Sequence, residues 1–305
     1  MNKWIEGARP KTLPASIVPV LVGTAAAHHA LLRSRFEHGG LMYLYEGEPT
    51  IVWRFGAALI VSVAIQIAVN YANDYFDGRK GVDTAARVGP LRLTASGLAT
   101  HKQMKIAIAT GLGAAAIAGF ALAAATSWWL LGMGALAFVA ALGYSGGPRP
   151  YASAGLGELF VFIFFGLVAT VGSAYVQIET VTRLAVISAI PIGFIAVAIL
   201  VVNNLRDINT DAAAGKITLA VRLGPKRTRL FFRLLIALAF VMLVPIALIA
   251  HSAWPLLALL ALNFAVKPTM LVGEEAPPKL VGALITTARL HLIFGTLLAI
   301  GLWVR

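Results

Sequence analysis

The chain of 305 residues contains no cysteine and only 13 acidic residues, and its charged fraction is 12%. The absence of cysteine excludes disulfide bonds, a thiolate nucleophile and cysteine-ligated zinc or iron–sulfur sites. The low charged fraction excludes an ordinary soluble domain, in which about a quarter of the residues are charged. The sequence also lacks a P-loop and a dinucleotide-binding glycine fingerprint. The class that remains is that of membrane proteins.

Long apolar runs make up most of the chain. Hydrophobic residues account for 59% of the sequence, and the mean hydropathy is +0.83. Runs of about 17 to 25 apolar residues can cross a bilayer as helices. Nine such runs are present, at 13–32, 51–72, 104–125, 128–145, 156–177, 184–204, 230–250, 253–268 and 282–304. The sequence therefore predicts an all-α integral membrane protein with nine transmembrane helices, in a single domain over residues 1–305.

The positive charge lies mainly on one side of the predicted bundle. Lys and Arg together number 25, and the net charge is +12. When the N-terminus is placed inside, 20 of these 25 cations fall in the inner segments, as the positive-inside rule requires. We therefore expect a cell-membrane protein with a cytoplasmic N-terminus, an external C-terminus and two long cytoplasmic loops, 73–103 and 204–229. Because the cations sit in short gaps between apolar runs, no solvated basic face is available for nucleic acid.

The second predicted helix ends in a cluster of acids and amides. Asn70, Asn73, Asp74 and Asp77 are spaced so that a continuing helix would carry them on one face. Glycines beyond the helix allow the chain to turn and to bring Asp83 back toward that face.

A second cluster ends the sixth predicted helix, where Asn203, Asp207 and Asp211 follow one another at four-residue spacing. Carboxylates on a shared face repel one another unless a cation lies between them. Oxygen ligands without His or Cys suit Mg²⁺, which binds proteins through a few carboxylates and substrate phosphates. The two clusters together therefore indicate a diphosphate held through metal. The candidate metal ligands are Asn73, Asp74, Asp77, Asp83, Asn203, Asp207 and Asp211.

Basic side chains in the same two loops can neutralise phosphate oxygens. The candidates for diphosphate binding are Arg79, Lys80, Arg87, Arg92, Arg206, Lys216 and Arg222. The alternative is purely structural, with acids at helix ends that local cations neutralise. Five of the 13 acids fall in the two clusters, and both clusters are predicted on the same side of the membrane, which favours a functional site.

The two clusters resemble the Asp-rich signatures of the UbiA superfamily of intramembrane prenyltransferases. The matching stretches are NDYFD at 73–77 with Asp83, and NNLRD at 203–207 with Asp211. Further stretches, at 9–14, 87–92, 149–158 and 215–224, resemble the branch that transfers a polyprenyl group to 1,4-dihydroxy-2-naphthoate. The resemblance covers about residues 9–224, and the outer loop 33–50 is longer than expected for that branch. It implies a nine-helix, all-α fold around a central cavity that is accessible to lipid.

The resemblance also implies an activity, which is the Mg²⁺-dependent transfer of a polyprenyl group from polyprenyl diphosphate to the naphthoate. Two metal ions are expected, CO₂ is lost, and the product is demethylmenaquinone, for menaquinone biosynthesis. The catalytic residues would be Asp77, Asp83, Asp207 and Asp211. Membrane lipid is a further expected partner, because it surrounds the prenyl tail. Two alternatives remain: a related enzyme with another aromatic acceptor such as 4-hydroxybenzoate, and, more distantly, a secondary transporter.

Aromatic residues near the clusters are assigned less specific roles. Tyr71, Tyr75 and Tyr144 are candidates for stabilising an allylic cation through their ring faces. Arg9, Lys11 and Arg149 are candidates for binding either the carboxylate of the acceptor or the diphosphate. The phenylalanines of the fifth run are expected to face lipid or to pack in the core; they are Phe160, Phe162, Phe164 and Phe165.

Overall fold

The computed structural model describes residues 2–37, 50–79 and 92–304, and the elements in these ranges are helices joined by turns. The helices are α1 (Lys3–Ala8), α2 (Pro14–Glu37), α3 (Val52–Arg79), α4 (His101–Ala125), α5 (Trp129–Gly143), α6 (Gly157–Ile178), α7 (Arg183–Arg206), α8 (Ile208–Ala213), α9 (Leu219–Ala250), α10 (Trp254–Leu271) and α11 (Pro277–Trp303). The prediction of an all-α fold is confirmed. Asp83, Lys80 and Arg87 lie outside the described residues, as does most of the outer loop 33–50.

Eight of these helices are long and apolar enough to cross a membrane, namely α2, α3, α4, α6, α7, α9, α10 and α11. The chain is thus a multi-pass membrane protein. The fourth predicted span corresponds to α5, which has 15 residues and is therefore about 22 Å long, shorter than a bilayer core of about 30 Å. Within the described ranges, the count of nine crossings is therefore not confirmed.

The beginning of α9 shows where apolarity alone gives the wrong boundary. The apolar run begins near residue 230, but the helix begins at Leu219, since the hydroxyl of Thr218 accepts a hydrogen bond from the Val221 amide and caps it. The helical turns between Leu219 and residue 230 contain several charged residues, so the sequence predicts a loop there. Gly224, with φ of 74°, breaks the helix there in a conformation that other residues rarely adopt.

Helix α2 lies at the centre of the bundle and packs against α3, α6, α7 and α11. Its contacts with two neighbours depend on glycine. A Cβ on Gly23 would lie 2.1 Å from the Thr170 carbonyl oxygen of α6, and one on Gly295 of α11 would lie 2.1 Å from Val18 Cγ1 of α2. Small residues let membrane helices approach this closely. The pair α3 and α4 packs on one side of α2, and α7, α9, α10 and α11 form the main apolar core on the other.

We call the end of the bundle where α3 and α7 finish, at Arg79 and Arg206, the motif end. The opposite end is where α4 and α6 finish, at Ala125 and Ile178. Both polar clusters of the sequence therefore lie at one end of the bundle.

Candidate active site

The two acidic clusters meet at a lysine. Lys216 Nζ lies 3.6 Å from Asp77 Oδ2 and 3.7 Å from Asp211 Oδ1. Both carboxylates are buried, and Asp77 Oδ2 accepts no hydrogen bond. Asp77 and Asp211, more than 130 positions apart, thus converge on one point, because α3 and α7 both finish at the motif end and α8 follows α7 there.

The second cluster is neutralised from within its own sequence. Helix α7 ends at Arg206, and Asp207 forms the corner before α8, where the Asp211 amide donates to the Asp207 carbonyl at 2.8 Å. Arg206 donates through Nε and Nη2 to the two carboxylate oxygens of Asp207, at 2.7 Å each. Arg206 Nη2 also donates to Asn203 Oδ1 at 2.9 Å. The guanidinium expected to bind diphosphate is therefore engaged with the motif itself.

Asp74 occupies a different environment from Asp77. Its carboxylate accepts hydrogen bonds from the backbone amides of Leu93, at 2.7 Å, and Thr94, at 3.4 Å. The side chain is 1% exposed, and Arg92 lies near enough to act on it electrostatically. Asp74 thus fastens the segment before α4 to α3, and the structure does not bring it to Lys216.

The two motif asparagines line the cavity beside the acids. Asn73 and Asn203 lie on its wall, together with Arg9 and Asn70. Asn73 Oδ1 accepts a short hydrogen bond from the hydroxyl of Ser145, a residue in the turn after α5. Sequence reasoning did not assign Ser145 to the site, because no spacing rule relates that turn to α3.

A cavity of about 600 Å³ extends from these polar groups into the bundle. Its walls are mostly apolar and come chiefly from α3, α4, α5, α6 and α7. One wall carries a series of stacked rings, in which Tyr151 and Phe160 have centroids 4.0 Å apart and Phe160 and Phe164 have centroids 6.2 Å apart. Phe160 and Phe164 line this cavity, a position that the expectation of lipid-facing or core packing did not include. Phe165 lines the cavity and also packs against the main apolar core, as expected.

A local change of helix type accompanies this wall. Residues Phe162–Val168 within α6 adopt a π-helix, a distortion that is frequent at functional sites. Phe162 itself packs in the core, stacked on Phe194 of α7 at 5.5 Å between centroids. The core prediction is therefore right for this phenylalanine.

Tyr144 and Tyr151 contribute phenols at the motif end of the cavity. The rings meet edge to face at 5.5 Å. Burial raises the pKa of Tyr144 above its usual range, and the carboxylates of Glu158, Asp77 and Asp211 raise it further. Burial also raises the pKa of Tyr151. Both phenols are therefore neutral and keep their protons at physiological pH.

The other candidate tyrosines lie away from the cavity. The Tyr71 hydroxyl donates to the Trp4 carbonyl of α1 at 2.8 Å, and the Tyr75 hydroxyl accepts from Arg79 Nη1 at 3.4 Å. Of the three candidate tyrosines, Tyr144 is the one that lines the cavity.

Several candidate cations lie apart from the pair of acids at Lys216. Arg79 and Arg149 are exposed, and Arg222 Nη2 donates to the Ala154 carbonyl at 2.9 Å. Arg92 is buried near Asp74. Of the candidate cations within the described ranges, Lys216 is the one that contacts acids from both clusters.

The donor set around Lys216 fits Mg²⁺ when water or a further ligand completes the coordination. Within the described ranges, no group of three or more His, Cys, Asp or Glu side chains is close enough to hold a metal alone. Two carboxylates are present, one carboxylate oxygen accepts no hydrogen bond, and an ammonium stands where a cation is required. This arrangement suits an ion that keeps several waters and shares substrate phosphates.

A membrane-embedded helical bundle with amides and an arginine in the wall of an apolar cavity, and with buried acids at the same end of the bundle, is typical of proteins that act on amphipathic lipids with charged heads. The model of the UbiA prenyltransferase family matches residues 38–272. The chain belongs to this family and is a membrane prenyltransferase.

Relatives of known sequence agree with this assignment. The chain is 43% identical over 265 residues to a 1,4-dihydroxy-2-naphthoate octaprenyltransferase of Mycobacterium tuberculosis, covering 87% of this chain and 84% of the relative. It is 37% identical over 284 residues to the protein of that name in Escherichia coli, covering 90% and 86%.

Solved structures share the fold. A UbiA homologue from Archaeoglobus fulgidus, solved with GPP and Mg²⁺, has a TM-score of 0.64 at 14% identity and covers 97% of this chain and 99% of its own. The apo UbiA homologue from Aeropyrum pernix has a TM-score of 0.66 at 14% identity, with 98% and 99% covered. These likenesses confirm the UbiA-type fold.

Proposed function

We propose that this protein transfers a polyprenyl group from polyprenyl diphosphate to 1,4-dihydroxy-2-naphthoate, with loss of CO₂, in menaquinone biosynthesis. The observation that carries the proposal is the convergence of Asp77 and Asp211 on Lys216, near enough to act electrostatically on Tyr144 in the wall of an apolar cavity. The choice of acceptor is supported by relatives that bear the name 1,4-dihydroxy-2-naphthoate octaprenyltransferase. The motif end would face the cytoplasm, as the distribution of Lys and Arg predicts.

Asp77 and Asp211 would hold Mg²⁺ together with oxygens of Asn73, Asn203 and Asp207, and Asp83 is the further candidate from the sequence. When bound, Mg²⁺ supplies Lewis-acid stabilisation of the charge on the departing diphosphate. Lys216 would supply a point charge for the phosphate oxygens beside the metal. Asp74 is a weaker candidate ligand, because its oxygens accept hydrogen bonds from the amides of Leu93 and Thr94.

The apolar walls would take the prenyl chain, which gains about 0.8 kcal/mol for each CH₂ removed from water. The C–O bond of the donor breaks, and its electron pair leaves with the diphosphate. The positive charge that develops on the allylic carbon would lie near the Tyr144 and Tyr151 rings, whose neutral faces stabilise cations.

The acceptor would then attack through the ring carbon that bears its carboxylate. The new C–C bond forms there, CO₂ leaves, and the pair of the broken C–C bond returns to the ring. The product of this step is therefore a prenylated hydroquinone, which is oxidised later to the quinone. Arg9 lines the cavity, whereas Arg149 is exposed, so Arg9 is the better placed cation for the acceptor carboxylate.

The test is prenyl transfer in membranes supplied with polyprenyl diphosphate, Mg²⁺ and either 1,4-dihydroxy-2-naphthoate or 4-hydroxybenzoate. We expect transfer to the naphthoate, with rates lower by about 100-fold or more in Asp77→Asn and Asp211→Asn. Glu274→Gln is the matched control, because Glu274 pairs with Lys279 on the surface and its loss should leave the rate unchanged. Preference for 4-hydroxybenzoate would reassign the acceptor. Full activity in both Asp variants would contradict the assigned site.

A further inference from the structure

The backbone that carries Lys216 is fixed independently of its charge. The Lys216 amide donates to the Asp211 carbonyl at 2.8 Å, and the Lys216 carbonyl accepts from the Thr218 amide at 3.1 Å. Gly215, with φ of 73°, makes the turn that precedes it, and Thr218 then caps α9. The turn between α8 and α9 therefore aims this side chain at the acids.

The side chain is also sheltered from water. Lys216 is 12% exposed, against 6% for Asp77 and 5% for Asp211. In such surroundings two carboxylates that approach one another repel strongly, since the effective dielectric constant is well below that of water. The ammonium between them removes this repulsion.

The geometry points to Lys216 as a positioning residue that substitutes for the metal before substrate arrives. Its ammonium holds Asp77 and Asp211 together in the metal-free protein, and it must leave the space between them when Mg²⁺ and diphosphate bind. Lys216 and Mg²⁺ thus compete for the same two carboxylates. This inference rests on the proposed function, since it concerns the same site.

Competition between Lys216 and a divalent cation predicts an effect on metal binding that a purely structural role of Lys216 does not. Without Lys216 the two acids repel, so the metal-free protein is less stable, but a divalent cation no longer has to displace the Lys216 ammonium. Loss of the lysine should therefore strengthen metal binding while it weakens the fold. A residue that merely supports the fold would weaken both.

The experiment measures Mn²⁺ binding to the purified protein in detergent by electron paramagnetic resonance, without substrate, and melting temperature with and without Mg²⁺. In Lys216→Met and Lys216→Gln we expect a Mn²⁺ midpoint lower by about tenfold, a lower metal-free melting temperature and a larger rise on adding Mg²⁺. Lys216→Arg should restore the wild-type values. Lys279→Met is the matched control, since Lys279 pairs with the exposed Glu274 at 2.9 Å.

An unchanged or higher Mn²⁺ midpoint in both Lys216 variants would overturn the inference, even if they melt at lower temperature. Failure of the proposed function gives a different result. There, wild type, Asp77→Asn and Asp211→Asn would bind Mn²⁺ equally, and no prenyl transfer to the naphthoate would occur. The use of two Lys216 variants and a binding measurement keeps the inference testable if one variant folds poorly.

Discussion

Replacement of Asp74 separates two roles that the sequence presents as one. Asp74 and Asp77 lie three residues apart in the first cluster, and both are candidate metal ligands by their spacing. In the structure Asp74 accepts two backbone amides, whereas Asp77 has a carboxylate oxygen without a hydrogen bond and a lysine beside it. We therefore expect loss of Asp74 to affect stability and loss of Asp77 to affect metal dependence.

The two hydrogen bonds to Asp74 determine how much its loss should lower the free energy of unfolding. A hydrogen bond to a charged group contributes about 1.5 to 3 kcal/mol, and the 3.4 Å contact with Thr94 is the weaker of the pair. Asp74→Ala should thus lower the free energy of unfolding by about 2 to 4 kcal/mol. At about 2 °C for each kcal/mol, the apparent melting temperature should fall by about 4 to 8 °C. Asp74→Asn keeps one acceptor oxygen and should lose about half as much.

Two measurements distinguish the roles. Tryptophan fluorescence during heating reports the melting temperature, and prenyl transfer over a series of Mg²⁺ concentrations reports the metal requirement. Asp74→Asn should have a lower melting temperature but keep the wild-type Mg²⁺ midpoint in the folded fraction. Asp77→Asn should keep the wild-type melting temperature but require more Mg²⁺. An increased Mg²⁺ requirement in Asp74→Asn, equal to that of Asp77→Asn, would make Asp74 a ligand and refute the anchoring role.

Two further expectations concern packing and pH. Gly23→Ala should lower the free energy of unfolding by about 1 to 3 kcal/mol in thermal melts, because the new Cβ meets the Thr170 carbonyl, whereas Gly56→Ala, with open space around it, should have little effect. Because the Tyr144 pKa is raised, the phenol stays protonated below about pH 10, so wild type and Tyr144→Phe should show the same shape of pH–rate profile from about pH 7 to pH 10. A wild-type loss of rate in that range that Tyr144→Phe abolishes would show that the phenol ionises.

The convergence of the two clusters could be predicted from the sequence, because Asp and Asn at the ends of long apolar helices must lie at a membrane surface. The partners within the site could not. Arg206 neutralises its neighbour Asp207, whereas its position in the loop predicted that it binds the diphosphate. Asp74 turns to Leu93 because its position at the edge of the shared helix face leaves it nearer the segment before α4.

The cavity wall was not predictable for a different reason. In a soluble protein an apolar side chain facing a cavity stands out against polar surface positions, but a membrane helix is apolar on every side. Phe160 and Phe164 line the cavity, and Phe162, within the same helix, packs on Phe194. The π-helix that sets these directions leaves no sign in composition or periodicity.

Each described motif acid has a partner within the chain that compensates its charge. Asp207 is matched by Arg206, Asp74 by backbone amides, and the pair Asp77 and Asp211 by Lys216. Buried carboxylates without partners would destabilise the fold by several kcal/mol each. Since the charge of each described motif acid is compensated within the chain, the proposed metal binding would not be needed to drive folding, as it is in small zinc domains. Mg²⁺ would instead replace the Lys216 ammonium, so its binding free energy would be reduced by the ion pairs that must break. A diphosphate that brings its own oxygens to the metal offsets that loss, which is why metal and donor should bind together.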